Sequence, residues 1–376
     1  MKLERVVNDQ LIIGNADKQR PAYIREENRF KHLLVLGTKG SGKSEIVLPS
    51  FFKQDIENKR VGATVFVGDR ETAMMMYSLA KRNNREVQLV KPSLTASGML
   101  LLENEHYDYR YVRENVIDFE RAIRKKEIVI VDMEFDENQE EAIRGTAFLL
   151  TAFREAYVKE NESKSTPHFL YVDNSHLYLP YVLPILFSGG DYTVGCTIFL
   201  ESRNLLNDNE KAIIDSFIRN KMFLTGLTVE DARYITEDIY ERELPYILNR
   251  DYLEFIYLTL DSKGKRANGV AKLNPLEKEL VESLRISVPR HRGNVLRNEV
   301  KPEPKIVSKP VEVEAKTSDV LPSVQVPTVP PLNEKNSSDQ KNKKKRSEPK
   351  VVRTVKQEVK RHVVILDNLF GDDDEF

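Results

Sequence analysis

The stretch that decides the fold runs from Arg29 to Phe52 and reads RFKHLLVLGTKGSGKSEIVLPSFF. It opens on a short apolar run, His32–Gly37 (HLLVLG), of the kind expected for a strand buried on both faces. Next comes GTKGSGKS, Gly37 to Ser44, which fits G-x-x-x-x-G-K-[ST]. Each part of that pattern has a chemical reason. Gly37, Gly40 and Gly42, with Thr38, Lys39 and Ser41 between them, let backbone N–H groups turn inward around a phosphate. Lys43 places a point charge at the β- and γ-oxygens, and Ser44 is a ligand for Mg2+. A strand before and a helix after are the context this loop requires, so the segment predicts a site for ATP and Mg2+ on a βα turn.

Working outward, further short apolar runs appear at Ala63–Val67, Val87–Val90, Ile128–Val131, His168–Val172, Thr197–Leu200 and Lys221–Thr225. Stretches with apolar spacing of three and four separate most of them, for example Glu141 to Val158. Short apolar strands alternating with helices predict an α/β fold: a doubly wound, mostly parallel sheet of the RecA-like P-loop NTPase kind. Tyr252–Leu260, a turn written SKGK and Ala267–Leu273 predict a closing antiparallel hairpin.

A phosphate loop needs a carboxylate on a neighbouring strand for the metal side, and a polar group to orient the attacking water. Two runs end suitably: HFLYVDN in Asp173 and Asn174, and IVIVDME in Asp132, Met133 and Glu134. Either aspartate could instead cap the helix that follows. Asp173 is the leading candidate for the metal-side acid, with Asp132 behind it. If Asp173 holds that role, Asn174 sits where a base is wanted, and an amide positions a water without accepting its proton. His176, three residues on, could face the nucleotide or be an ordinary loop histidine, and Cys196 reads as core packing.

The 376 residues carry 58 Lys+Arg against 59 Asp+Glu, a formal charge of -1, so the chain as a whole is neither a polycation nor an acidic buffer. One cysteine excludes a disulfide framework and a cysteine-based zinc site and fits a reducing cytoplasm. With no apolar run of membrane-spanning length and no leader-like start, the chain is expected to be soluble and cytoplasmic, reaching a membrane only through a partner protein. Residues 1–290 are expected to form the P-loop ATPase domain. Residues 291–376 hold 8 of the 17 prolines and only two aromatics, Phe370 and Phe376, too little apolar surface to offset ordering the backbone. Residues 291–366 are therefore expected to be a disordered linker whose basic block, with 11 basic and 3 acidic groups from Lys335 to Arg361, condenses on phosphates without base specificity. Residues 367–376 (DNLFGDDDEF) form an acidic tip, similar to that of bacterial single-stranded-DNA-binding proteins, which implies a protein partner docking Phe376.

The order of segments from about Arg29 to Glu243 resembles the conjugative coupling proteins of type IV secretion, the VirD/TraG group within the FtsK/HerA class of DNA-pumping ATPases. The resemblance is carried by the phosphate loop with the proline-bearing helix behind it and by VFVGDRET, with Asp69, Arg70 and Glu71. It continues through HFLYVDNSHLYLP, GCTIFLESRNLL and the segment from Ile213 to Thr236, with Asn220 before its last core strand. It implies a hexameric motor that translocates DNA in conjugation, using Lys43, Ser44 and Asp173 to bind MgATP. Asn174 and Glu201 would contact the γ-phosphate end, and Arg203 or Arg219 would reach a neighbour's nucleotide. Three departures are visible. Asn174 replaces the family's glutamate, and Glu201 stands where it has a glutamine. The transmembrane hairpin is absent from the N-terminus, and the helical insert is reduced to something near Tyr107–Lys126. The departures keep open a nucleotide-gated adaptor that hydrolyses weakly or not at all, and a phage DNA-packaging ATPase is a third alternative. For DNA contact, Lys39, Lys263, Lys265 and Arg266 are the expected basic side chains.

Overall fold

The computed structural model describes residues 10–16, 20–94, 100–104, 110–111, 117–134, 139–160, 166–238, 244–261 and 263–286. The expected linker and acidic tip, Ser262 of the hairpin turn, and residues 107–109 and 112–116 of the reduced insert lie outside the described residues. A hairpin, β1 (Gln10–Ala16) and β2 (Pro21–Arg25), and one helical turn, α1 (Glu26–Arg29), lead into β3 (Leu33–Leu36). After the glycine loop come α2 (Leu48–Glu57), β4 (Gly62–Val67), α3 (Arg70–Arg82) and β5 (Val87–Leu94). Two strands, β6 (Leu100–Asn104) and β7 (Arg110–Tyr111), precede α4 (Phe119–Lys125) and β8 (Ile128–Asp132). The alternating part continues with α5 (Gln139–Glu160), β9 (His168–Val172), α6 (Leu179–Ser188), β10 (Val194–Leu200), α7 (Asp208–Phe217) and β11 (Asn220–Phe223). Then follow α8 (Val229–Asp238), α9 (Leu244–Leu248), the hairpin β12 (Glu254–Leu260) and β13 (Arg266–Lys272), and α10 (Lys278–Ile286).

The strands join one sheet in the order β2-β1-β13-β12-β11-β3-β10-β9-β4-β8-β5-β6-β7. From β11 to β5 every pairing is parallel, with β12, β13, β1 and β2 antiparallel at one side and β6 and β7 at the other. This is the expected α/β architecture. The central strands β3, β4, β8, β9 and β10 are buried at every residue because helices cover both faces. Alternation assigns the faces. Leu33, Val35, Val65, Ile130 and Phe199 pack with residues of α2, α3 and α10, while Leu34, Leu36, Phe66, Val131 and Ile198 pack with residues of α4, α5, α6 and α7.

The N-terminal hairpin was not foreseen as part of the sheet. It pairs antiparallel with β13, so chain segments some 250 residues apart close that side together. Asn15 aligns with Lys272 there. β6 and β7 were likewise unforeseen; β6 pairs antiparallel with β5, and β7 antiparallel with β6. Within the expected reduced insert, the described part holds β7 and α4, whose start is capped by Asp118 accepting from the Arg121 N–H.

Parallel order brings the C-terminal ends of β3, β10, β9 and β4 side by side, each opening into a loop on the same edge of the sheet. Within that edge Gly37 donates its N–H to the Leu200 carbonyl at 3.1 Å, Met133 to Val67 at 2.8 Å and Asp173 to Phe66 at 2.9 Å. Those main-chain bonds continue the sheet by a residue and hold the loops in register.

Candidate functional site

The loop from Gly37 to Ser44 wraps the end of β3. Gly40 and Gly42 take φ values of 79° and 90°, the left-handed region where a Cβ is penalised. The helix behind the loop begins as a wide turn over Lys43–Val47, in which the N–H groups of both Ile46 and Val47 donate to the Gly42 carbonyl at 2.9 Å. Pro49 brings no N–H to the helical ladder, and a wide turn is one way a helix absorbs that loss. Lys43 folds back on its own loop, donating from Nζ to the carbonyls of Gly37 (2.6 Å) and Thr38 (3.0 Å). Burial lowers its pKa, opposed by the carboxylates of Glu201 and then Asp173. Ser41 Oγ, buried in the loop, has no hydrogen-bond partner.

Across the sheet edge, Ser44 Oγ donates to Asp173 Oδ1 at 3.0 Å. Asp173 is buried and also accepts from the N–H groups of Asn174 (3.0 Å) and Gly68; burial raises its pKa, and the Ser44, Asn174 and Gly68 bonds hold it down. Asn174 adopts φ 48° and ψ 40°, a left-handed conformation that asparagine tolerates better than glutamate. Its side-chain amide lies so close to Gly68 that a Cβ there would collide with Nδ2. Glycine at the end of β4 and asparagine at the end of β9 therefore fit one another.

These groups line a cleft of about 550 Å3. Lys39, Gly40, Gly42, Lys43 and Ser44 form one wall, and Asp173, Asn174 and Glu201 stand at the strand ends. The expected residues of the phosphate loop and of β9 and β10 thus come together. Asp132 does not join them, because it pairs with Arg70 at 2.9 Å and accepts from the Glu134 N–H. Burial pushes its pKa up to about 6 against those two partners. Arg203 is also absent from the cleft lining. Its guanidinium holds Asp215 through two bonds of 3.1 and 2.9 Å and lies 3.5 Å over the Tyr234 ring. Arg219 is exposed at the opposite end of the sheet, where its N–H donates to the Lys31 carbonyl, and buried Asn220 beside it bonds the carbonyls of Asn28 and His32. His176 is not part of the cleft lining; its Nδ1 is buried without a partner and its pKa is lowered by burial against the pull of Glu201 and Asp173. Lys39, Lys263, Lys265 and Arg266 are exposed, and Cys196 is buried in the core.

Sequence reasoning missed the far wall. Thr72 and Met75 reach the cleft from α3, and Val281 reaches it from α10. Asp69 caps α3 by accepting from the Thr72 N–H at 2.7 Å, and this cap was the readable signal that a helix begins beside the loop. Val281 has no local signal, since only the closing hairpin brings α10 there.

The donor set suits Mg2+. Ser44 Oγ and Asp173 are hard oxygen donors already in contact, and they would hold the ion while the phosphates and water complete its shell. Among the described residues there is no cluster of three or more His, Cys, Asp or Glu side chains able to hold an ion without such help.

No family model matches the sequence, and no curated protein matches it. Among solved structures, similarity is found to the genome packaging NTPase B204 from Sulfolobus turreted icosahedral virus 2 in complex with ATP-gammaS. It has 12% identity and a TM-score of 0.39, covering 66% of this chain and 100% of that one. VirB4 of Thermoanaerobacter pseudethanolicus is similar at 11% identity and TM-score 0.49, covering 72% of this chain and 98% of that one. The bacterial conjugative coupling protein TrwBdeltaN70 is similar at 11% identity and TM-score 0.46, covering 73% and 91%. At these identities the likeness is one of fold alone. No helix among the described residues is long and apolar enough to cross a membrane.

Proposed function

We propose that this protein binds ATP with Mg2+ in the cleft over Gly37–Ser44 and works as a DNA-translocating ATPase of the conjugative coupling kind. The observation that carries the reading is the 3.0 Å bond between Ser44 Oγ and Asp173 Oδ1, which joins the phosphate loop to the acid two strands away. A turn with two left-handed glycines, a buried lysine whose Nζ bonds the loop's own carbonyls and a hydroxyl–carboxylate pair beside it together match a nucleotide's triphosphate. The loop amides and Lys43 take the β- and γ-phosphates, and Ser44 and Asp173 hold the metal. When bound, the ion neutralises charge on the β,γ-oxygens. Assembly as a hexamer with DNA on its axis, cytoplasmic location, membrane contact through a partner and docking of the acidic tip on a protein complete the proposal. Exposed Lys39, Lys263, Lys265 and Arg266 support the DNA contact, and a phage packaging role would use the same parts.

A nucleotide-gated adaptor remains as a second reading, favoured by one observation: the residue after Asp173 is an amide held against Gly68. Calorimetry with ATP and Mg2+, followed by ATPase assays with and without DNA, tests both. Binding by the wild type, lost in Lys43→Ala, is expected, with DNA-stimulated turnover. Tight binding without turnover supports the adaptor, and no binding at millimolar ATP refutes the site.

A further inference from the structure

Binding ATP and splitting it are separate demands, and the second needs a group that accepts a proton from water. Five carboxylates line the cleft: Glu45, Asp69, Glu71, Asp173 and Glu201. Asp173 is already engaged by Ser44 and two main-chain N–H groups, and Asp69 is engaged as the cap of α3. Glu45 is exposed on the helix behind the loop, and Glu71 lies on the first turn of α3, a further strand away beyond β9 and β4.

Glu201 is placed differently. It follows β10, whose two neighbours in the sheet are β3, carrying the phosphate loop, and β9, carrying Asp173. The preceding residue is pinned to the loop, because Leu200 aligns with Leu36 and its carbonyl accepts the Gly37 N–H at 3.1 Å. Among the described residues the Glu201 carboxylate makes no hydrogen bond and no ion pair, so both its oxygens are available to water. It is nonetheless close enough to act on Lys43 more strongly than Asp173 does. A carboxylate facing the loop's lysine from between the metal-side acid and the phosphate turn borders the space where a γ-phosphate ends.

We propose that Glu201 is the general base for hydrolysis of ATP in this cleft, with the Asn174 amide one strand over orienting the same water. The proposal rests on the nucleotide reading of the site given above, and it adds that the cleft is competent for turnover. As the water oxygen bonds to the γ-phosphorus, one water proton passes to a Glu201 carboxylate oxygen. The bond from the γ-phosphorus to the β,γ-bridging oxygen breaks, and its electron pair leaves with ADP. The products are ADP, inorganic phosphate and one proton, which Glu201 releases to solvent. Placing amide and carboxylate on adjacent strand ends divides orientation from proton transfer, and it accounts for an anion beside a phosphate that would otherwise only repel it.

The test compares wild type, Glu201→Gln and Glu201→Asp in the full chain, reading ATP affinity by calorimetry and kcat by phosphate release with DNA present. Glu201→Gln keeps the shape and loses the base, so it is expected to bind ATP within about threefold of wild type and to lose roughly 100-fold or more in kcat. Glu201→Asp keeps a carboxylate one methylene further back, and it is expected to turn over at least about ten times faster than Glu201→Gln. Turnover by Glu201→Gln within tenfold of wild type overturns the proposal, as does equal loss in both variants. Wild-type protein that binds ATP without hydrolysing it also overturns it while leaving the binding site intact. Failure to bind ATP at all is the separate failure of the site itself.

Discussion

Two buried histidines make the folded domain acid-sensitive in a way that can be calculated. His32 Nδ1 accepts the Cys196 N–H at 3.1 Å, and its other nitrogen donates to the Leu186 carbonyl, so the neutral ring is already fully used. His168 shares a 2.8 Å bond with Thr64 through Nε2, while Nδ1 lies against Gly62 with no partner. Protonating either ring puts an N–H where no acceptor waits. Burial accordingly lowers His32 to about 4 and His168 to about 3, from an ordinary 6.5. A depressed folded-state pKa gives stability that is full above pH 6.5 and drains as the unfolded chain takes up protons the folded chain refuses. At pH 5.0 each histidine costs about 2 kcal/mol, or about 4 kcal/mol together. Asp132 works the other way: raised to about 6, it binds a proton at pH 5.0 that its unfolded form does not, returning about 1.4 kcal/mol. Asp173, also raised by burial, adds in the same direction. The expected net loss between pH 7.5 and 5.0 is about 2–3 kcal/mol, a large share of a stability of about 5–15 kcal/mol, and His176, also lowered by burial, adds to the loss. With no tryptophan in the chain, urea unfolding is best followed by far-ultraviolet circular dichroism. His32→Asn and His168→Gln each remove one titration, and each should flatten the pH dependence by about 2 kcal/mol over that interval. An unfolding free energy equal or higher at pH 5.0, or variants with the wild-type slope, would refute the reasoning.

Two further outcomes concern the same core. Gly62→Ala would set a methyl 2.5 Å from His168 Nδ1 and 3.1 Å from the Lys126 backbone, where neither neighbour has room to retreat, so a loss of about 1–3 kcal/mol is expected in urea unfolding. Asp55→Ala would strand Arg29, which now holds that carboxylate through bonds of 2.6 and 2.7 Å and shares it with Tyr171. A loss of about 3–5 kcal/mol is expected from the uncompensated buried charge, and a change under about 1 kcal/mol would mean that water reaches the pair.

The legible part of the site was the part written contiguously. Gly37 to Ser44 carries its own reason in eight successive residues, and the strands around it are short, wholly apolar and separated by helical periods, so the parallel centre of the sheet follows from pattern alone. The β12–β13 hairpin was announced by its SKGK turn, but the antiparallel pairings of β1, β2, β6 and β7 escaped. β1 meets β13 only after the intervening chain has folded, and β6 pairs with β5 without a strong sequence signature. Arginine direction was equally unreadable. Arg203 follows the strand that ends at Glu201, but whether its guanidinium faces the cleft or Asp215 depends on where α7 and Tyr234 pack.

Adjacency in the sheet also changes how the residue after Asp173 is understood. In sequence, Asn174 is a missing base; in space, its left-handed backbone and its contact with Gly68 suit an asparagine, and an uncommitted carboxylate stands one strand away at Glu201. A strand end that must turn left-handed is a poor place for a long acidic side chain, whereas the end of β10 imposes no such turn. The left-handed backbone at this position is compatible with an amide. On the proposal that Glu201 is the base, the proton acceptor missing at the end of β9 is supplied from the end of β10, one strand away.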